Sequence, residues 1–298
     1  MLKQILDTQI DNRGQMIEDR IHGKSSREDF ELYALLNKLF KDRGVDFRQY
    51  RPKCIARRIA TRMRATGVKT YQEYVTILNT SPQEYDHLLS VLTINVTEFF
   101  RDPEVFHILR LHILPELIQN KEKRKKKIIR IWSAGCSDGP ETYTLAVLLF
   151  ELLGQRLFSD FLVSIYGTDI DDECITKARE GVYFAKVHMK NVDPRIAQKY
   201  FTYAGNYAYA VADKLKIITK FRHQDLVLDK PLSCVDLILC RNVLIYFSRE
   251  LQMKVFENFY HALVPGGYLV LGRVESVWGE MQKYFAAIDH KNRIYQRV

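Results

Sequence analysis

Long apolar runs are missing from this chain of 298 residues. No stretch of about 18 apolar residues occurs and no signal-peptide core is found, so we expect a soluble, cytoplasmic protein. The five cysteines are odd in number and form no CxxC pair. Reduced, mostly buried thiols are therefore favoured over disulfides or zinc ligands, and we expect no metal site.

The common phosphate-binding patterns are also missing, although the chain has a turn of the kind that holds ligands. The apolar run at residues 128–132 predicts a buried strand, and residues 142–153 predict an apolar helix. Gly135 and Gly139 lie between them, where the backbone must turn or come close to a ligand. The turn matches neither GxxxxGK followed by Ser or Thr nor GxGxxG, so a phosphate site is poorly supported. Alone, such a strand, turn and helix is often only structural.

Two further predicted strands end in polar residues. Residues 166–170 form an apolar strand that ends in Asp169, and a carboxylate there can accept both hydroxyls of a ribose. The strand at residues 235–240 is followed by Arg241 and Asn242. Polar groups at strand ends face the ligand crevice of an open α/β sheet, so these residues predict a nucleoside site.

An excess of acidic residues is absent as well. The 45 Lys and Arg residues outnumber the 36 Asp and Glu residues, which gives a net charge of +9. This charge predicts an acidic partner, and nucleic acid, anionic lipid and acidic protein surfaces all stay open. Residues 41–80 carry ten basic against three acidic residues, a net of +7, in a region with a helical pattern.

The basic region contains a predicted amphipathic helix at residues 51–66. Ile55, Ile59 and Met63 recur at helical spacing and predict one apolar face. We expect four arginines to project from the other face: Arg57, Arg58, Arg62 and Arg64. Two interpretations stay open, a solvated helix face and an arginine surface that grips an acidic helix through bidentate carboxylate contacts.

Four sequence runs together resemble one family. They are TxNxTxFFR at residues 93–101, SAGCSxGxExYT at 133–144, GTDID at 167–171 and CRNVxIYF at 240–247. In this order, and with a Pro-Gly-Gly turn at 265–267, they resemble the CheR family of chemotaxis receptor methyltransferases over about residues 30–276. These enzymes transfer a methyl group from S-adenosylmethionine (SAM) to receptor glutamate side chains and release S-adenosylhomocysteine.

The resemblance implies an α/β fold, a class I SAM-methyltransferase doubly wound sheet with a small all-helical N-terminal domain and an inserted small β-subdomain. We accordingly expect an N-terminal extension (1–27), a helical receptor-docking domain (28–88), a connecting segment (89–127) and a methyltransferase domain (128–298). The β-subdomain is expected at about 181–221, where residues 207–211 and 214–219 flank Ala212 and Asp213 as the strands of a hairpin would.

The resemblance also assigns roles at the site. It implies that Arg101 and Tyr246 are catalytic. The cofactor residues that it implies are Asn95, Thr97, Arg101, Glu141, Asp169, Asp225, Leu226, Asn242 and Val243. The chain departs from the family pattern at Pro140, where Glu is usual, and at Asp225, where Asn is also common. Because Glu141 is kept and proline is tolerated in the first turn of a helix, we expect SAM binding to survive.

The partner implied by the resemblance is acidic. The N-terminal helix of related enzymes meets the receptor's methylation helices, and Arg58, Arg62 and Arg64 lie at matching positions. We expect the acidic methylation helices of chemoreceptors as partner, no nucleic acid, membrane contact only through the receptor, and a monomer. Some members dock a receptor peptide on the β-subdomain, but the shorter loop after Phe201 favours a member that does not need this tether.

Other classes of function stay open beside this one. An RNA methyltransferase would suit the basic charge, but the amine-methylating run Asp/Asn-Pro-Pro-Tyr is absent at residues 241–246. A SAM-binding regulator or scaffold would not need Arg101 and Tyr246, and both are retained. A methyltransferase of this family with a target outside chemotaxis is the remaining alternative.

Overall fold

A computed structural model of the protein describes residues 27–48, 50–93, 97–125 and 127–298. The predictions for Asn95 and for nearly all of the N-terminal extension lie outside the described residues. The chain divides into two compact units, one that ends at Leu88 and one that begins at Leu89. Within the described ranges, no helix is both long and apolar enough to cross a bilayer.

The first unit is helical. Its helices are α1 (Arg27–Arg43), α2 (Pro52–Thr66), α3 (Tyr71–Thr80) and α4 (Pro82–Thr93), of which α4 continues into the second unit. Helix α2 has proline in its first turn and ends at Gly67, whose left-handed φ of 77° lets the chain turn. Ile55, Ile59 and Met63 are buried, which confirms the predicted apolar face of α2.

The second unit is built on a seven-stranded sheet and a three-stranded sheet. The strands are β1 (Ile128–Ala134), β2 (Leu162–Asp169), β3 (Val182–Phe184), β4 (Phe201–Gly205), β5 (Ala208–Val211), β6 (Thr219–His223), β7 (Val235–Cys240), β8 (Leu263–Leu271), β9 (Phe285–Asp289) and β10 (Ile294–Arg297). The large sheet has the order β6-β2-β1-β7-β8-β10-β9. Strands β6, β2, β1, β7 and β8 are parallel neighbours, whereas β10 pairs antiparallel with β8 and β9.

The second unit has helices before the first strand and between the later strands. They are α5 (Pro103–Ile108), α6 (Leu114–Lys123), α7 (Pro140–Leu153), α8 (Arg156–Ser159), α9 (Asp172–Glu180), α10 (Ala185–His188), α11 (Pro194–Tyr200), α12 (Asp213–Ile218) and α13 (Arg249–Ala262). A π-helix at Leu109–Ile113 joins α5 to α6, so the predicted connecting segment is largely helical. Short 3₁₀ helices occur at Leu244–Tyr246 and Gly279–Lys283. The predicted fold, an α/β sheet domain with an N-terminal helical region and an inserted small sheet, is confirmed.

Parallel pairing brings the carboxyl ends of β1, β2 and β7 to one edge of the large sheet. Ala134 in β1 pairs with Thr168 in β2, and Ser133 pairs with Leu239 in β7. Every residue of β7 is buried, as is typical of a parallel strand covered on both faces. The residues that follow these three strands therefore start from adjacent positions.

The inserted small sheet has the order β3-β5-β4. Asn206 and Tyr207 join β4 to β5 with φ values of 48° and 57°, as in a two-residue hairpin turn. The predicted hairpin was wrong in its second strand, because residues 213–218 form α12. Leu215 and Ile218 are buried three residues apart, which is helical spacing, whereas Ile217 is 66% exposed.

Candidate active site

The turn after β1 comes close to the loop that follows β7. Gly135 has a φ of 76°, and a Cβ atom built there would lie 2.4 Å from Cγ2 of Val243. The backbone N–H groups of Gly135 and Cys136 both donate to the carbonyl of Thr168 in β2 (2.8 and 2.9 Å). Glycine is therefore required here by a close approach as well as by conformation. Pro140 is the first residue of α7, which agrees with its expected tolerance in a first helical turn.

Asp169 ends β2 with both carboxylate oxygens held by backbone. Its Oδ2 accepts from the Ser137 N–H (2.8 Å), and its Oδ1 accepts from the Asp171 N–H (3.1 Å). Burial raises the pKa of Asp169 to about 6, although these two N–H groups favour the ionised form. A carboxylate held in this way has a fixed direction and keeps lone pairs for further donors.

Glu141 lies in the first turn of α7 and contacts two of the three strand ends. Its Oε1 accepts from the hydroxyl of Ser133 in β1 (2.8 Å), and its Oε2 accepts from Nη1 of Arg241 after β7 (3.3 Å). The structure thus brings Glu141 together with Arg241, which the sequence analysis placed at the ligand crevice without assigning it a contact.

Arg241 is a buried charged side chain at this edge, with 2% of its side chain exposed. Its Nη2 donates to the carbonyl of Arg101 (3.0 Å) and to Oδ2 of Asp102. The guanidinium also lies 5.3 Å from the ring centre of Phe106. The sequence carried a signal for these contacts, because Arg241 directly follows a fully buried strand. A buried arginine requires hydrogen-bond acceptors, so contacts of this kind are expected.

The loop after β7 is held by one buried carboxylate. Oε2 of Glu275 accepts from the N–H groups of Asn242 (2.9 Å) and Gly272 (2.6 Å), and Oε1 accepts from the Ile245 N–H (3.2 Å). Burial raises the pKa of Glu275 above its usual range. Asn242 has a φ of 62°, and Tyr246 is half-buried at the end of the following 3₁₀ helix. Glu275, missed in the sequence, therefore fixes the segment that carries Asn242, Val243 and Tyr246.

The segment before α5 is anchored by its two phenylalanines. Phe99 is buried, with its ring centre 4.9 Å from those of Tyr183 and Phe201. The Phe100 N–H donates to Oγ1 of Thr144 in α7 (3.2 Å). Thr97 and Arg101, on either side of this pair, are both half-buried. The phenylalanines thus fix where Arg101 leaves the core.

The turn after β6 lies beside Asp169, because the Gln224 N–H donates to the Asp169 carbonyl (2.8 Å). Asp225 uses its Oδ1 to accept from the N–H groups of Val227 (2.7 Å) and Leu228 (3.1 Å). Leu226 is buried. The structure therefore brings Asp225 and Leu226 near Asp169, while the Asp225 carboxylate is engaged within its own turn.

Oδ1 of Asp138 and Oδ1 of Asn242 are buried at this edge without a hydrogen-bond partner among the described residues. Buried polar atoms in native proteins are nearly always paired, so these two unpaired oxygens indicate a place for a polar ligand. The close approach at Gly135 and the fixed Asp169 carboxylate fit a nucleoside there.

The N-terminal arginines are not arranged as predicted. Arg58 is only 6% exposed, and Arg62 donates from Nε (2.9 Å) and Nη2 (2.7 Å) to the buried carboxylate of Glu84 in α4. Glu84 also accepts from the Tyr74 hydroxyl (2.6 Å). The prediction that Arg58 and Arg62 project from the polar face was wrong. They lie three residues after Ile55 and Ile59, and that spacing returns to the apolar side of the helix.

Two of the four arginines are exposed, Arg57 and Arg64. Burial would raise the pKa of Glu84, but the guanidinium of Arg62 and the Tyr74 hydroxyl hold it below its usual range. Arg62 therefore has a structural role within the first unit. Docking of an acidic helix stays a prediction, and Arg57 and Arg64 are the two of the four predicted arginines whose side chains are exposed for it.

Comparison with known proteins matches both units. Residues 31–93 match a family model described as CheR methyltransferase, all-alpha domain, and residues 95–294 match CheR methyltransferase, SAM binding domain. A probable chemotaxis protein methyltransferase of Rhizobium etli is 32% identical over 254 residues, which cover 83% of this chain and 92% of that protein.

Two further relatives carry a similar name. A chemotaxis protein methyltransferase of Borreliella burgdorferi is 31% identical over 253 residues, covering 84% of this chain and 89% of that protein. Chemotaxis protein methyltransferase 1 of Pseudomonas aeruginosa is 32% identical over 260 residues, covering 85% and 92% respectively. The strand-end residues described above all fall within the match to the SAM binding domain.

Proposed function

This chain belongs to the CheR methyltransferase family, and we propose that it transfers a methyl group from SAM to glutamate side chains of chemoreceptors. The observation that carries the proposal is the grouping of Asp169, Glu141 and the Arg101 backbone around the carboxyl ends of β1, β2 and β7. The names of the relatives support a role in chemotaxis.

The residues present fit SAM. We assign Asp169 to the ribose hydroxyls, because its carboxylate is fixed and buried at the end of β2. Glu141 is assigned to the amino acid part, since a carboxylate suits an ammonium group. Asn242 and Val243 are assigned to the wall beside the cofactor, and the unpaired Oδ1 of Asn242 offers it an acceptor. Asn95, Thr97, Asp225 and Leu226 complete the proposed lining.

The chemistry needs orientation more than proton transfer. SAM would supply a methyl group on a positively charged sulfonium, which is already activated for displacement. A glutamate side chain has a pKa near about 4.3, so it is ionised at neutral pH and the site requires no general base. We assign Arg101 to orient this carboxylate by a charge-assisted hydrogen bond, and Tyr246 to donate its hydroxyl nearby.

The proposed partner is the acidic methylation helix of a receptor. Arg57 and Arg64 are exposed on α2, and arginine engages carboxylates through two parallel hydrogen bonds. The net charge of +9 favours encounter with an acidic surface in general. Arg62 is not part of this proposed surface, because its guanidinium is taken by Glu84.

The test is the chemical lability of the transferred group. The protein is incubated with methyl-labelled SAM and receptor-containing membranes from its source, and the labelled material is treated with mild base. A carboxyl methyl ester releases its label as methanol, whereas methylated nitrogen retains it. Label on receptor that base releases supports the proposal. Base-stable label, or SAM binding without transfer, would favour another methyl acceptor or a regulatory role.

A further inference from the structure

We infer that Arg241 is a positioning residue, whose single guanidinium holds the Arg101 backbone and the Glu141 carboxylate in one arrangement. This inference rests on the proposed function, since it assigns Arg241 to act through the substrate-orienting Arg101. The sequence placed Arg241 at the ligand crevice but did not predict its contacts with Arg101, Asp102 and Glu141.

The backbone on both sides of Arg101 is tied to the sheet domain. Before it, the Phe100 N–H donates to Thr144 of α7 (3.2 Å). After it, the Arg101 carbonyl and the Asp102 carboxylate both accept from Nη2 of Arg241. A side chain that must meet a substrate carboxylate in one direction needs its Cα fixed, and Arg241 supplies the contact on the C-terminal side.

The contact between Asp102 and Arg241 lies at a sharp turn of the chain. The φ of Asp102, 57°, is in the left-handed region, which L-residues other than asparagine and aspartate seldom adopt. The conformation turns the chain directly into α5, so Arg101 is followed at once by a sharp change of direction. An ion pair to a buried guanidinium holds this turn in place, and stacking on Phe106 holds the guanidinium itself.

The same guanidinium reaches the proposed cofactor side of the site. Nη1 donates to Oε2 of Glu141 (3.3 Å), while Ser133 donates to Oε1 (2.8 Å). Glu141 and the Arg101 backbone are therefore held by two nitrogens of one planar group. Lysine carries the same charge but only one nitrogen, so it cannot keep both contacts.

The chain offers a matched control in Arg273. Its Nε lies 3.3 Å from Oδ1 of the same Asp102, and its Nη2 lies 3.3 Å from Glu104. The Arg273 side chain is 49% exposed, and an exposed ion pair contributes little. Loss of Arg273 removes one partner of Asp102 and leaves every contact of Arg241 in place.

The experiment compares three variants, Arg241→Lys, Asp102→Asn and Arg273→Ala, in the wild-type and Arg101→Ala backgrounds. Turnover is measured on receptor-containing membranes, and SAM affinity is measured by calorimetry. We expect Arg241→Lys to lower kcat by about 10-fold to 100-fold, more than it changes the Kd for SAM. Asp102→Asn should lower kcat with an unchanged Kd, because asparagine accepts the left-handed conformation and Glu141 is untouched.

The double variants distinguish a positioning role of Arg241 from a general role in maintaining the fold. If Arg241 acts through Arg101, Arg241→Lys and Asp102→Asn should lower turnover no further once Arg101 is alanine. Losses of kcat at saturating SAM that multiply in that background would overturn the inference, whereas a change in the Kd for SAM in Arg241→Lys reports the separate contact with Glu141. Arg273→Ala should behave as wild type throughout. If Arg241→Lys does not fold, Asp102→Asn carries the same comparison.

Amide hydrogen exchange gives a readout that does not depend on activity. Exchange in the peptide that spans residues 97–105 should rise in Arg241→Lys and stay unchanged in Arg273→Ala. Unchanged exchange in Arg241→Lys would contradict the inference even in an active enzyme. A wild-type protein that forms no base-labile ester would refute the proposed function instead, and the exchange result would still decide the role of Arg241.

Discussion

SAM affinity should depend on pH through Asp169. Burial raises the pKa of this carboxyl to about 6 in the free protein, whereas ribose hydroxyls that donate to it favour its ionised form. Below pH 6 the free protein holds a proton that must leave before Asp169 can accept from the ribose. Affinity should therefore fall as pH decreases, by up to about 10-fold for each pH unit.

The size of the effect follows from the fraction ionised. With a pKa of about 6, nearly all of Asp169 is ionised at pH 7.5 and roughly a tenth at pH 5. The Kd for SAM should thus be about 10-fold higher at pH 5 than at pH 7.5. The expected loss of affinity at low pH is not explained by unfolding, because protonation of Asp169 does not destabilise the folded state. A carboxyl whose folded pKa is raised stabilises the fold as pH falls from about 6 towards 3.8.

Titration calorimetry between pH 5 and pH 8 measures the effect, with circular dichroism at each pH as a check of folding. Asp169→Asn is the matched variant, because it keeps the shape and cannot ionise. It should bind SAM about 10-fold to 150-fold more weakly at pH 7.5, as expected for the loss of a charged acceptor, with little dependence on pH. A wild-type affinity that is constant over this range, or the same dependence on pH in Asp169→Asn, would show that ionised Asp169 does not bind SAM.

Three further predictions concern other parts of the chain. Arg101→Ala and Tyr246→Phe should lower kcat with little change in SAM affinity, and a parallel loss of binding measured by calorimetry would make these residues cofactor ligands instead. Replacement of Arg57 and Arg64 by Glu should lower the rate of receptor methylation about 10-fold or more at low salt and leave SAM binding intact. Full activity of this variant would show that the two arginines only form a solvated helix face. Glu84→Gln should lower the free energy of unfolding by about 2 kcal/mol in denaturant titrations, since it removes a buried charge partner, and an unchanged midpoint would contradict that role.

The parts of the fold that could be predicted are those with strong local patterns. The buried strands β1 and β7, the acid that ends β2 and the apolar face of α2 each follow from the spacing of apolar residues. The segment at 213–218 was misread because Lys214, Leu215 and Lys216 alternate as in a strand. Burial of Ile218 with Leu215 shows that helical packing prevailed over this short alternation.

The sequence could place a residue at the candidate site only where that residue lies at the end of one strand. Asp169 and Asn242 lie at such places, and their roles stay predictions. The contacts of Arg241 and Glu275, in contrast, join segments that are far apart in sequence. Pairing of Arg62 with Glu84 likewise depends on how α4 lies against α2. Periodicity assigns a residue to a helix face, but it does not say which charge on a neighbouring helix will reach it.

The identity of the methylated group decides whether the proposed function is right. Receptor from the protein's source is incubated with SAM and the wild-type protein, then digested and mapped by mass spectrometry. We expect a single added methyl group on glutamate side chains of the receptor's acidic helices, lost after mild base and strongly reduced with Arg101→Ala. Methylation of lysine, of nucleic acid, or of no receptor residue would contradict it.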